Sequence, residues 1–208
     1  MGVSRMTKWS KPLGIASASA AVMGTLTILS PSVAKAYNVG ATGATACGAL
    51  NITANYDSTE VVYYYRSGLV TANYNAVAWS MSSNVDPTDL SSSSVGSSGA
   101  ATVVYYDDAY TDYCGRDWYS GGGGTVGYTK CDYLEGAACG KHSIKFDTGF
   151  TAAIGITHQR GLACHETGHA LGFEHPPSWE MQSSCLADSS KYTGYSSDEI
   201  NAINFIYW

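Results

Sequence analysis

The stretch HETGHALGFEHPPSWEM, residues 165–181, sets three histidines, a glutamate and a glycine at fixed intervals. A helix through its first half puts His165 and His169 on one face, one turn apart, so their rings can converge on a single ion. Glu166 lies about 100° round the axis from His165, close enough to flank that ion without ligating it. Gly172 can take the left-handed conformation that ends a helix and turns the chain. That turn can return His175 to the same ion as a third ligand. Three neutral imidazoles leave the fourth position of a tetrahedral zinc to water, the arrangement of a site that does chemistry. Zinc lowers the pKa of that water and Glu166 takes its proton. The hydroxide attacks a polarised peptide carbonyl, and Glu166 hands the proton to the leaving amine. One catalytic zinc is expected on these grounds. The competing reading is a helix with histidines on its surface. It leaves unexplained why a chain with five histidines sets three of them at these spacings.

Residues 165–175 fit HExxHxxGxxH at every fixed position, and in this the chain resembles the metzincin zinc metalloproteases. The resemblance implies an α+β, zincin-like fold: a twisted mixed sheet, an active-site helix carrying the first two histidines, and a C-terminal helix. It also implies a methionine turn beneath the metal. Met181, six residues after His175, is similarly placed; an ordinary core methionine is the other reading. The last helix looks like that of the matrixins, and a small secreted bacterial protease of matrixin-like or snapalysin-like type is the nearest picture. Snapalysins carry Asp where this chain has His175. Ser183 stands where astacins and serralysins have a tyrosine, so a tyrosine ligand is not implied. Cys47, in ATACGAL, does not match the cysteine switch of matrixin propeptides. Matrixin relatives also bind calcium, and Asp107, Asp108, Asp112 and Asp117 are the candidates here. A solvated acidic loop is the simpler reading, because their spacing is not that of an oxygen cage. His142 and His158 read as surface or supporting histidines.

These residues need a scaffold. Val61 to Tyr65 form a β-branched and aromatic run that predicts a strand. Residues 69–81 place Leu69, Ala72, Ala76 and Trp79 near helical spacing and predict a helix on the sheet. The Ser-rich segment 82–100 reads as a loop. Residues 101–107 predict a second strand, 125–132 a third and Ser143 to Phe146 a fourth, with room for a fifth edge strand between the last two. Residues 108–123 are irregular, and the glycines at 121–124 lack the Gly-Lys-Ser/Thr of a phosphate loop. A helix over roughly 158–171 ends at Gly172. Ser196 and Glu199 form a capping box ahead of an apolar stripe of Ile200, Ile203 and Tyr207. A substrate peptide is expected to lie extended along the edge strand.

Residues 1–36 carry Arg5, Lys8 and Lys11, an apolar run from Leu13 to Leu29, and the small-x-small pattern Ala34-Lys35-Ala36. That is the layout of a secretory signal peptide. A membrane anchor is the alternative, but the run is diluted by Ser and Ala and a cleavage pattern follows. Residues 37–208 are then a single catalytic domain, with 37–58 an N-terminal arm or short propeptide. Removing the signal leaves seven basic residues against 17 acidic ones, a net charge of −10. That balance excludes nucleic acid and anionic membranes as natural partners. A secreted monomer acting on polypeptides, with no stable membrane association after cleavage, is expected. All six cysteines lie beyond the signal and none form a CxxC pair, so three disulfides are expected. Cys131 and Cys139 could close a small loop, and Cys164 and Cys185 could staple the site. Two other functions fit the motif. One is a non-catalytic, zinc-containing secreted binding protein, which has no use for Glu166. The other is a zinc amidase acting on cell-wall peptides.

Overall fold

Alternation of buried and exposed side chains builds the sheet. The computed structural model describes residues 42–44, 50–51, 60–110, 118, 124–135, 138–173, 185 and 193–207. All belong to the unit Val33–Trp208; the expected signal peptide lies outside them. The strands are β1 (Thr42–Ala44), β2 (Leu50–Asn51), β3 (Val61–Tyr65), β4 (Ser91–Ser94), β5 (Val103–Asp108), β6 (Gly127–Glu135) and β7 (Ala138–Asp147). The α-helices are α1 (Thr71–Ser80), α2 (Thr148–Thr151), α3 (Ile156–Ala170) and α4 (Ser197–Ile206), with a π-helical turn at Met81–Val85 and a 3-10 turn at Ser98–Ala100. The sheet order is β1-β2-β6-β7-β5-β3-β4. β3 pairs in parallel with β4 and β5, and β5 with β7. β6 runs antiparallel to β7, and β2 antiparallel to β6. This is the mixed sheet of an α+β fold.

Every second residue of the central strands points into one core. Val62 and Tyr64 of β3, Val103 and Tyr105 of β5, and Ile144 and Phe146 of β7 are buried there. They meet Ala76 and Val77 of α1, Leu162 and Ala163 of α3, and Ile203 of α4. Each fully buried Val, Ile or Leu among them contributes about 1.5–3 kcal/mol. The capping box forms as predicted: Glu199 N donates to Ser196 Oγ and Ser196 N to Glu199 Oε2, at 3.3 and 2.7 Å. Ile203 and Tyr207 are buried below it, with Ile200 half-buried. Among the described residues no helix is long and apolar enough to cross a membrane.

Four expectations need correction. The predicted helix 69–81 starts at Thr71, and its buried stripe is Asn73, Ala76, Val77 and Ser80, in place of Leu69, Ala72, Ala76 and Trp79. The stripe can hold Asn73 because Asn73 Nδ2 donates to Asp107 Oδ1 (2.6 Å) and Thr151 Oγ1 (3.1 Å). The Ser-rich segment contains β4, whose serines are a poor strand signal and pair only because β3 offers a parallel ladder. Among the described residues no fifth strand separates β6 from β7. The two run longer than predicted and are tied across their hairpin by the disulfide Cys131–Cys139. Finally, His142 is fully buried in β7, and among the described residues neither ring nitrogen has a hydrogen-bond partner.

Candidate active site

Helix α3 faces three ways. Toward the core, Thr167 Oγ1 donates to the Ala163 carbonyl at 2.6 Å. That uses its one proton, so the Tyr105 hydroxyl donates to Thr167 at 2.8 Å. Burial pushes the Tyr105 phenol well above its ordinary pKa, which keeps that proton in place. Tyr195 OH donates to the Cys164 carbonyl at 3.2 Å, and Gly168 lies in ordinary contact with the Tyr195 ring. Toward β6, Glu166 and Leu162 sit under Gly127. The third face carries His165 and His169.

The two imidazoles stand edge to face, with ring centroids 4.7 Å apart and planes at 84°. Their Nε2 atoms approach to 3.2 Å. Both Nδ1 atoms meet backbone carbonyls: His165 with Cys185 O at 2.9 Å and His169 with Phe173 O at 2.6 Å. A carbonyl only accepts, so each Nδ1 carries the hydrogen, and the tautomer with its hydrogen on Nδ1 turns an Nε2 lone pair toward the other ring. Two lone pairs facing each other are unfavourable unless a cation lies between them. A tetrahedral zinc with Zn–N bonds of about 2.0–2.1 Å spaces two nitrogens about 3.3 Å apart. The observed spacing fits that ion. Ligating histidines typically donate their other N–H to a carbonyl or carboxylate, as both do here.

Each carbonyl has a distinct origin. Gly172 adopts φ 99°, and the end of α3 is a Schellman turn: Gly172 N donates to His169 O and Phe173 N to Gly168 O, each at 3.0 Å. The turn faces the Phe173 carbonyl toward His169. The Cys185 carbonyl is held by the disulfide Cys164–Cys185, which begins one residue before His165. Both expected pairs, the loop closure Cys131–Cys139 and the staple Cys164–Cys185, are present. Cys47 and Cys114 lie outside the described residues.

Glu166 is 4% exposed. Thr129 Oγ1 on β6 lies 2.7 Å from Glu166 Oε2 and 2.9 Å from the Glu166 carbonyl. Thr129 and Gly127 escaped the sequence reading. Their alternation put them on one face of a strand, and nothing in it said which helix that face meets. His165 and His169 are thus brought together, Glu166 sits on the neighbouring face of the same helix against β6, and Gly172 ends that helix, whereas His175, Met181 and Ser183 lie outside the described residues. Among the described residues no group of three metal-binding side chains gathers. His158 is half-buried in the first turn of α3. Of the calcium candidates, Asp107 is spent on the head of α1, accepting from Val70 N at 2.7 Å and from Asn73. Burial raises its pKa, partly offset by those hydrogen bonds. Asp108 Oδ1 accepts from Ala109 N; Asp112 and Asp117 lie outside the described residues. No protein-family model matches the chain, and no curated protein matches it either.

Proposed function

We propose that the protein is a secreted zinc endopeptidase of metzincin type. The observation that carries this reading is the pair of Nε2 atoms at 3.2 Å, each ring fixed by a backbone carbonyl, on a helix that also carries the buried carboxylate of Glu166. His165 and His169 would hold the zinc with His175 as third ligand, and Met181 would support the site from below. Zinc, when bound, supplies a Lewis acid and makes water acidic enough to lose a proton near neutrality. Glu166 receives the proton of the attacking water and returns it to the leaving amine. Its burial removes competing solvent around the carboxylate, and Thr129 fixes one of its oxygens. An extended peptide is proposed to add alongside β6, which passes Glu166 at Gly127. The arm strand β2 takes that same edge farther along, at Cys131.

The test is proteome-wide mass spectrometry of cleaved peptides with wild type, wild type plus a zinc chelator, and Glu166→Gln. Wild type and Glu166→Gln should each bind one zinc. Cleavage should fall by about 10²–10⁴-fold in the variant and vanish with the chelator. Cleavage that survives metal removal, or that persists in Glu166→Gln, overturns the proposal. Release of cell-wall peptides from peptidoglycan without any cleavage of denatured protein would replace it with an amidase.

A further inference from the structure

We propose that Thr129 and Gly127 of β6 are positioning residues for Glu166, an inference that rests on the endopeptidase reading. Neither belongs to the histidine motif; both come from a strand almost forty residues earlier in the chain. Glu166 is buried, and a buried carboxylate must be hydrogen-bonded. Thr129 has one hydroxyl proton and two acceptors in reach. The carboxylate oxygen is nearer, at 2.7 against 2.9 Å, and a charged acceptor makes the stronger bond. Thr129 is itself 5% exposed and sits opposite Ile144 in the β6–β7 ladder. A β-branched side chain so confined has little choice of rotamer. Its hydroxyl is therefore a fixed point that sets one oxygen of Glu166.

Gly127 bounds the other oxygen. A Cβ at Gly127 would lie 2.5 Å from Glu166 Oε1, 2.9 Å from Glu166 Cδ and 2.8 Å from Leu162 Cδ1. Any side chain there displaces the carboxylate from Thr129. Among the described glycines, positive φ belongs to Gly124 and Gly172, so Gly127 is needed for the space it leaves. A donor on one oxygen and a close backbone against the other hold the carboxylate in one orientation. A proton acceptor held in one orientation raises the fraction of encounters that react. It changes how fast bound substrate turns over, with little effect on how substrate binds.

The experiment uses the full chain and the variants Thr129→Val, Thr129→Ser and Glu166→Leu. In Thr129→Val, kcat should fall by about ten- to a hundredfold, the worth of one hydrogen bond to a charged group. KM and zinc affinity, the latter read by chelator competition, should stay within about twofold. Thr129→Ser, which keeps the hydroxyl, should restore most of kcat. A second readout needs neither metal nor turnover. In the metal-free chain, Thr129→Val should lower Tm when Glu166 is present and should not in the Glu166→Leu background. An unchanged kcat overturns the proposal, as does an equal Tm loss in both backgrounds, since the hydroxyl would then serve the backbone carbonyl alone. If wild type neither binds zinc nor cleaves peptides, the endopeptidase reading fails, while the Tm cycle still reports whether Thr129 holds Glu166.

Discussion

His142 should make the protein sensitive to mild acid, and replacing it should remove that sensitivity. The ring lies in the middle of β7, fully buried, with Val103 and Cys131 beside it in the ladders. Burial pushes its pKa down to about 4, only partly offset by the attraction of the Asp132 carboxylate. In the unfolded chain a histidine titrates near about 6.5. Between these values the unfolded state binds a proton that the folded state refuses. Stability is therefore complete above about pH 6.5 and falls as pH drops toward 4. At 1.36 kcal/mol per pKa unit the full loss is about 3 kcal/mol, a large part of the margin of an ordinary domain. His142→Leu keeps the volume nearly constant and deletes both unpartnered nitrogens, each of which costs about 1–3 kcal/mol when buried unsatisfied. The assay is urea unfolding of the metal-free wild type and variant at a series of pH values from 7.5 to 4.5. The variant should match or exceed wild type at pH 7.5, and its advantage should widen steadily below pH 6.5. Parallel curves across that range would refute the reasoning, because all other titrating groups are common to both chains.

Three further outcomes follow from the same geometry. Replacing Cys164 and Cys185 together by Ser should weaken zinc binding by about 10–100-fold, since the carbonyl that orients His165 loses its anchor; the Cys131–Cys139 pair replaced in the same way should lower Tm and leave zinc affinity near wild type. Gly172→Ala forces a Cβ into φ 99°, at a cost of about 1–2 kcal/mol, so Tm should fall by a few degrees in differential scanning calorimetry. Asp107→Ala strips the head of α1 of two hydrogen bonds and leaves Asn73 short of a partner; urea unfolding should show a loss of about 1–3 kcal/mol.

What the sequence made legible were features whose cause is local. Val61–Tyr65, the capping box at Ser196 and the glycine stop at 172 each depend on a few neighbouring residues, and each is where the pattern put it. The histidine spacing belongs to this class, because the helix alone makes His165 and His169 neighbours. The stripe of α1 failed because Asn73 is made buriable by Asp107, thirty-four residues away. β4 failed for the same reason: four serines have no strand preference, and only β3 gives them a ladder. Of the two readings of His142, surface or supporting, the surface one fails: a histidine flanked by Lys141 and Ser143 looks polar, yet its strand lies between β5 and β6. Thr129 and Gly127 were invisible for a related reason. Their role depends on which helix passes beneath the strand.

The two locks on the histidines follow the same division, and it bears on how the site is assembled. The carbonyl on His169 is supplied by the turn that ends its own helix, so it forms as soon as α3 is capped. The carbonyl on His165 comes from twenty residues downstream and is delivered by a covalent bond. Closing a loop of that length by chance costs chain entropy, and the disulfide already takes that entropy from the unfolded chain. The separation of the two Nε2 atoms depends on both rings being held, so the poorer lock limits the site. An oxidising environment, which keeps the Cys164–Cys185 bond closed, then serves the site's geometry as well as stability. The helix itself, anchored by Tyr105, Tyr195 and the core, has no such dependence. Reduction should therefore loosen His165 before it loosens α3.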